Sequence, residues 1–212
     1  MTTEPKLKNG PLYLISEFII DYFRYFTIVE WFKIIGEKIN PKKLDPNYIY
    51  AYNRTSVDLF IILKWLFVLF IMKYHFTNRF LTCFVWYLIV TNIYSYFYHH
   101  IWKKEVLNTD GFEIDRIRRR FITLILAVGY SNFCFAYLYR HPYSTYFTWN
   151  DNKLSAVKSM WYSISNSLAA NYNFVLPNSD FANSVSMIQL LVTFVFVTII
   201  LGKSIPQTNS NI

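Results

Sequence analysis

The sequence predicts an all-α integral membrane protein with four transmembrane helices, a re-entrant pore helix and an N-terminal amphipathic helical segment. Three observations predict it. Four long apolar runs occupy residues 57–74, 80–101, 121–139 and 184–202. Charged residues make up 16% of the 212-residue chain, against about 25% for an ordinary soluble domain. A shorter apolar element, residues 154–170, interrupts the connection between the last two runs.

Each long run is near the roughly 20 helical residues that a hydrocarbon core of about 30 Å requires. Aromatic residues make up 21% of the chain, and their amphipathic rings collect where bilayer meets water. The first run holds Lys64, which is costly at mid-bilayer and is expected to snorkel or to face other protein. The second ends in Tyr98, His99, His100 and Trp102, read as an interfacial belt rather than a metal site. Cys83 and Cys134 lie in apolar runs without metal-ligand spacing and are read as reduced packing residues. The first ten residues carry no apolar stretch behind a basic one, so no cleaved signal peptide is expected.

Residues 12–39 are apolar yet charged. Glu17, Asp21 and Arg24 share one helical face, while Glu30, Lys33 and Glu37 share nearly the opposite one. This predicts two short amphipathic pieces, or one kinked helix, lying along the membrane surface. Pro41 and Pro46 are expected to stop helix before the first span, with Thr55, Ser56 and Asp58 as capping choices. The resulting organisation is an N-terminal helical region (1–56), a first helix pair (57–102), a basic loop (103–120), a pore module (121–203) and a tail (204–212).

Basic residues near span ends set orientation. With four crossings and a cytoplasmic N-terminus, 15 Lys and Arg fall on the cytoplasmic side and five on the other. Both termini are therefore expected on the cytoplasmic side, with residues 142–183 outside. Arg116, Arg118, Arg119 and Arg120 precede a span rather than recurring within one, which argues against voltage sensing.

The element at 154–170 is too short to cross a bilayer and too apolar to lie in water. A half-crossing helix followed by extended backbone is tolerated at membrane depth only where protein or a water-filled cavity surrounds it. An ordinary extracellular amphipathic helix is the alternative. The run Met160-Trp-Tyr-Ser-Ile-Ser-Asn-Ser-Leu-Ala-Ala-Asn-Tyr-Asn-Phe-Val-Leu-Pro177 resembles the pore helix and filter of the potassium-channel superfamily. Tyr162 and Ser163 match the family's pore-helix pair, Tyr172 its filter tyrosine and Pro177 the proline that follows. The resemblance covers roughly residues 120–203, with 121–139 as outer and 184–202 as inner helix. It implies a homotetramer, because one chain supplies a single pore loop.

The central signature departs from the family. Asn171 and Asn173 replace the filter glycines, Ala169 the threonine and Phe174 the aspartate. Asn tolerates positive φ, so the turn is expected to survive while the carbonyl ladder does not. The expectation is a wide, poorly selective opening lined partly by Asn166, Asn171 and Asn173. On the last helix, Ser186, Gln189, Thr193, Val197 and Ile200 fall in one stripe. Ser186, Gln189 and Thr193 are expected to line a cavity, and Val197 with Ile200 to form an apolar gate that closes by dewetting. The alternative is that these polar residues only join helices.

Lys42, Lys43, Tyr48, Tyr50, Tyr52 and Arg54 mix charge with rings, as do Arg116, Arg118, Arg119 and Arg120 beside Phe112. Such layers suit a nucleotide or single-stranded oligonucleotide, and equally anionic lipid headgroups. In plan the chain resembles the small channel effectors of bacterial anti-phage defence, such as the channel component of the Hailong system. That resemblance implies nucleotide or oligonucleotide control and a soluble partner encoded nearby. The other class is a non-conducting scaffold that recruits a soluble partner, similar to the membrane component of the Kiwa system. No catalytic constellation, metal or cofactor is implied, and an enzyme is not expected.

Overall fold

The computed structural model describes residues 10–39, 46–98, 102, 114–150 and 154–204. Among the described residues, seven α-helices run in chain order: α1 (Pro11–Phe23), α2 (Ile28–Ile39), α3 (Pro46–Tyr74), α4 (Arg79–Phe97), α5 (Ile114–Arg140), α6 (Ala156–Ser167) and α7 (Asp180–Ser204). Two short strands, β1 (Phe147–Trp149) and β2 (Val175–Pro177), pair antiparallel. Among the described residues, four helices are long and apolar enough to cross a membrane, at Thr55–Tyr74, Arg79–Phe97, Phe121–Arg140 and Asp180–Ile199. The chain is a multi-pass, predominantly helical membrane protein.

The chain divides into two compact units, Met1–Ile62 and Leu63–Ile212. In the first, Pro11 opens α1 at a position where its missing N–H costs nothing. A 3-10 turn at Arg24–Phe26 separates α1 from α2, so the segment forms two helices rather than one. Glu30 fixes that corner. It is 6% exposed and accepts from Arg24 Nε at 3.0 Å, Arg24 Nη2 at 2.8 Å and Lys33 Nζ at 2.7 Å. The expected stop before the first span is corrected: Pro46 begins α3 rather than ending helix, and the helix runs through Thr55, Ser56 and Asp58. A proline breaks helix only behind itself; at the first turn it is tolerated.

In the second unit the core is aromatic. Tyr130, Phe135, Tyr137 and Tyr139 of α5 are fully buried, with Val85 and Ile89 of α4 and Phe196 of α7. Trp65 packs edge-on to Tyr130 and Phe133, at 5.9 and 5.0 Å between ring centroids. Cys134 is buried as expected, whereas Cys83 is exposed. Lys64 faces protein. Its ammonium donates to Asn92 Oδ1 at 2.7 Å and lies 4.5 Å from the centre of the Tyr130 ring. Asn92 Nδ2 in turn donates to the Ala127 carbonyl at 2.9 Å and to Ser131 Oγ at 3.1 Å.

The corner between α3 and α4 is held by the end of α5. Tyr137 donates to the Phe76 carbonyl at 2.7 Å and Arg140 to the Met72 carbonyl at 3.3 Å. His75 takes a left-handed φ of 56° and sets its ring 5.2 Å from that of His141. Burial first, then the charge of Arg140 and the neighbouring His75, pulls the His141 pKa from 6.5 down to about 4. Protons therefore bind the unfolded chain more tightly than the folded one. Stability on this account is full above pH 6.5 and declines as pH falls toward 4. Unfolding midpoints of wild type and His141→Gln across that range are expected to converge at the acid end.

Candidate functional site: the connection between the last two candidate spans

The segment 141–179 leaves the end of α5 and returns to the start of α7. Its feet are clipped together by β1 and β2, in the register Phe147↔Pro177, Thr148↔Leu176 and Trp149↔Val175. The Asn178 amide adds a bond to the Tyr146 carbonyl at 3.0 Å, and Trp149 Nε1 one to the Ser144 carbonyl at 3.2 Å. Phe147 sits 5.0 Å from Tyr139 and 5.7 Å from Tyr162, tying the clip to α5 and α6.

Between the strands, α6 packs along α5 and α7. It is shorter than the predicted 154–170, ending at Ser167. The fixed points give its depth. Ser163 Oγ donates to the Asn132 carbonyl at 2.8 Å, and Asn132 stands eight residues before Arg140, about 12 Å of helix rise. Asn166 Nδ2 donates to Gln189 Oε1 at 2.8 Å and to the Ser186 carbonyl at 3.0 Å. Gln189 stands nine residues after Asp180, about 13 Å of rise. Each flanking apolar stretch is 20 residues long, so the last turn of α6 reaches the middle of both. From there the chain turns back to β2.

Gln189 is the hub. It is 1% exposed. Its Oε1 also accepts from Tyr139 Oη at 2.7 Å, and its Nε2 points at Asn132 Oδ1 at 3.0 Å, the Ser163 carbonyl at 2.8 Å and Ser163 Oγ at 2.6 Å. Ser186 shares a hydrogen bond of 2.9 Å with Tyr162 Oη. The expectation that Ser186 and Gln189 line a cavity is corrected in this respect: both are buried and occupied in holding α6 against α5 and α7. Farther along the same stripe the helix is open. Thr193 is half-buried, its Oγ1 bonded back to the Gln189 carbonyl at 3.0 Å, and Val197 is 43% exposed. The physical reason is the length of α6, which covers the stripe above mid-span and leaves it bare below.

The turn after α6 also differs from expectation. Ala169, not Asn171 or Asn173, takes the left-handed conformation, with φ 53°. Its amide bonds the Asn166 carbonyl at 2.9 Å and the Ala170 amide the Ser165 carbonyl at 2.8 Å, the paired closure that usually ends on glycine. A Cβ in that region costs about 1–2 kcal/mol, against about 0.4–1 kcal/mol of extra unfolded-state freedom for glycine. Ala169→Gly is therefore expected to stabilise the fold by about 0.5–1 kcal/mol, read as a raised unfolding midpoint.

Asn171 and Asn173 are exposed and Tyr172 is half-buried, its ring 5.5 Å from that of Phe174. The Asn173 and Phe174 carbonyls accept from Asn150, at 2.8 Å through Nδ2 and 3.0 Å through the amide. Lys158 donates to the Asn150 carbonyl at 2.7 Å. The outer face of α6 carries Val157 and Trp161, with Leu154 just before the helix and Leu168 just after it, all between 52% and 72% exposed. Sequence reasoning missed Asn132 and Tyr139, which lie in an apolar run, and Asn150, which lies in a polar stretch; none of the three carries a motif.

Of the basic layer, Arg118 is exposed and Arg119 half-buried on α5. Lys42 and Lys43 lie outside the described residues. So do the side chains of Tyr48, Tyr50, Tyr52, Arg54, Arg116, Arg120 and the gate residue Ile200. His99 and His100 also lie outside them. Comparison with protein-family models, with curated proteins and with solved structures finds no match for this chain.

Proposed function

We propose that this protein is the subunit of a homotetrameric, ligand-controlled and weakly selective cation channel that acts as a membrane effector. One observation carries the reading. A short helix descends between two spans to their midpoint and the chain returns to the end from which it came. In lipid, the backbone amides of residues 171–174 and the exposed side-chain amides of Asn171 and Asn173 would go unsatisfied. An axis of several copies, with water at its centre, supplies what they need.

Asn171, Tyr172 and Asn173 then border the narrow opening, and Asn166 braces it from behind. Thr193 and Val197, bare below the end of α6, face the aqueous path, with Val197 and Ile200 as the apolar constriction. A nucleotide or single-stranded oligonucleotide on the basic, aromatic cytoplasmic layer sets the open state. The resemblance in plan to anti-phage channel effectors supports a role in bacterial defence, in the inner membrane, with both termini cytoplasmic.

A scaffold that binds a soluble partner is the second reading. The burial of Ser186 and Gln189 favours it, since two of three expected cavity residues face protein. Reconstitution separates the two. The channel gives potassium and sodium flux of similar size in liposomes, raised by Val197→Ser. No flux with that variant leaves the scaffold, and strict potassium preference removes the wide-opening account.

A further inference from the structure

Helix α1 exposes an apolar face that the structure leaves unpartnered, and its chemistry identifies the partner. None of its 13 residues is buried. Leu12 is 81% exposed and Phe18 71%, while Leu14, Ile15, Ile19 and Tyr22 lie between 55% and 57%. At about 100° per residue, Leu14, Phe18, Tyr22, Ile15, Ile19 and Leu12 fill one half of the helix circumference. Phe18 and Tyr22 stack along it, with ring centroids 6.1 Å apart. The opposite half holds Ser16, Glu17 and Asp21 together with Tyr13, Ile20 and Phe23, which are less exposed than the Leu14–Phe18–Tyr22 face.

Thirteen residues make about 20 Å of helix, too short to cross a bilayer. They belong to a chain whose first apolar stretch begins at Thr55, so connectivity keeps α1 beside a membrane. Interfacial helices ordinarily carry Lys and Arg on the polar face, which adds attraction to anionic headgroups. Here the polar face is acidic. Residues 1–39 hold five basic and five acidic side chains, so the segment has no net charge to draw it to anionic lipid.

We propose that α1 is an in-plane membrane anchor that seats its Leu14–Phe18–Tyr22 face among the acyl chains, driven by apolar burial and indifferent to anionic lipid. Glu17 and Asp21 stay in the headgroup water. This rests on the membrane reading of the spans and is independent of whether a pore conducts.

Site-directed spin labelling of the full chain tests it, with Cys83 and Cys134 replaced by serine or alanine. Labels go on Phe18→Cys, on Asp21→Cys and, as a reference on an outward-facing position of α3, on Leu66→Cys, each in vesicles of zwitterionic lipid and of zwitterionic lipid mixed with phosphatidylglycerol. All three side chains are exposed, so the label displaces no packing. The expected result is an oxygen-to-nickel collision ratio at Phe18 several-fold above that at Asp21, close to that at Leu66, and equal in the two lipids. A Phe18 label open to nickel overturns the anchor. A Phe18 label shielded from both reagents assigns the face to a second copy or a soluble partner instead. An oxygen preference only with phosphatidylglycerol overturns the charge-indifferent account. If Leu66 itself meets no lipid, the membrane reading falls, and the anchor falls with it; a lipid-exposed Leu66 beside a wet Phe18 removes the anchor alone.

Discussion

Replacing Gln189 by leucine is expected to cost the folded chain about 3 kcal/mol and to abolish any flux it supports. Leucine fills nearly the same space but makes none of the five contacts that converge on the amide. Tyr139 Oη loses its acceptor and Asn166 Nδ2 one of its two, and the Ser163 carbonyl and Asn132 Oδ1 lose the Gln189 donor. A single interhelical hydrogen bond in a membrane is worth about 0.6 kcal/mol on average and up to about 1.7, while a buried group left unmade costs about 1–3. Asn166 Nδ2 keeps the Ser186 carbonyl, so three groups are orphaned together, which with some relaxation gives the figure above. Tyr139→Phe removes one donor and should cost about 1 kcal/mol. The double variant should fall short of the sum, because Gln189→Leu has already broken the same bond. Equilibrium unfolding in mixed micelles reads all three. A change under about 0.5 kcal/mol for Gln189→Leu would mean that the hub does not hold α6 in place.

Asn92→Leu is expected to be nearly as damaging, at about 2–4 kcal/mol. Its carbonyl oxygen takes a hydrogen bond from the Lys64 ammonium, and its amide nitrogen serves α5 at Ala127 and Ser131. Removing the partner of a charge set within a span is costlier than removing the charge and its partner together. Lys64→Met in the Asn92→Leu background should therefore recover more than half of the loss. The Tyr130 ring beside the ammonium retains part of the charge stabilisation in the single variant, which keeps the expected cost below the upper end of the range for a buried pair. If Asn92→Leu and the double variant unfold at the same denaturant concentration, the contact carries little energy.

These two clusters mark where reading the chain alone succeeds and stops. The apolar runs and the interrupting element at 154–170 were legible because length and hydrophobicity are properties of one segment. The stripe through Ser186, Gln189 and Thr193 was legible too, but not what it faces. A polar row on a membrane helix has the same spacing whether it meets water or the side of another helix. Only the length of α6 decides, and the end of α6 depends on which residue closes it. Asn171 and Asn173 were the better candidates for a left-handed turn by residue type; Ala169 takes it because it follows the C-cap Leu168, where the Ser165 and Asn166 carbonyls need closing. Lys64 advertised a partner without naming it. Asn92 lies 28 residues away on another helix, and nothing local in the sequence joins them. The start of α3 was misread because a proline looks alike at the first turn of a helix and beyond its last.

The pairing of β1 with β2 bears on the order of assembly. Closing a free excursion of about 25 residues costs on the order of 3 kcal/mol in chain entropy. The clip meets that cost at its own base, outside the crossing segments, before any side chain near mid-depth has found its mate. The two flanking helices can thus enter lipid first, and the hairpin-footed insert can drop between them afterwards as a preformed plug. Damage at Thr148 or Leu176 should then slow the final docking step while leaving membrane integration untouched.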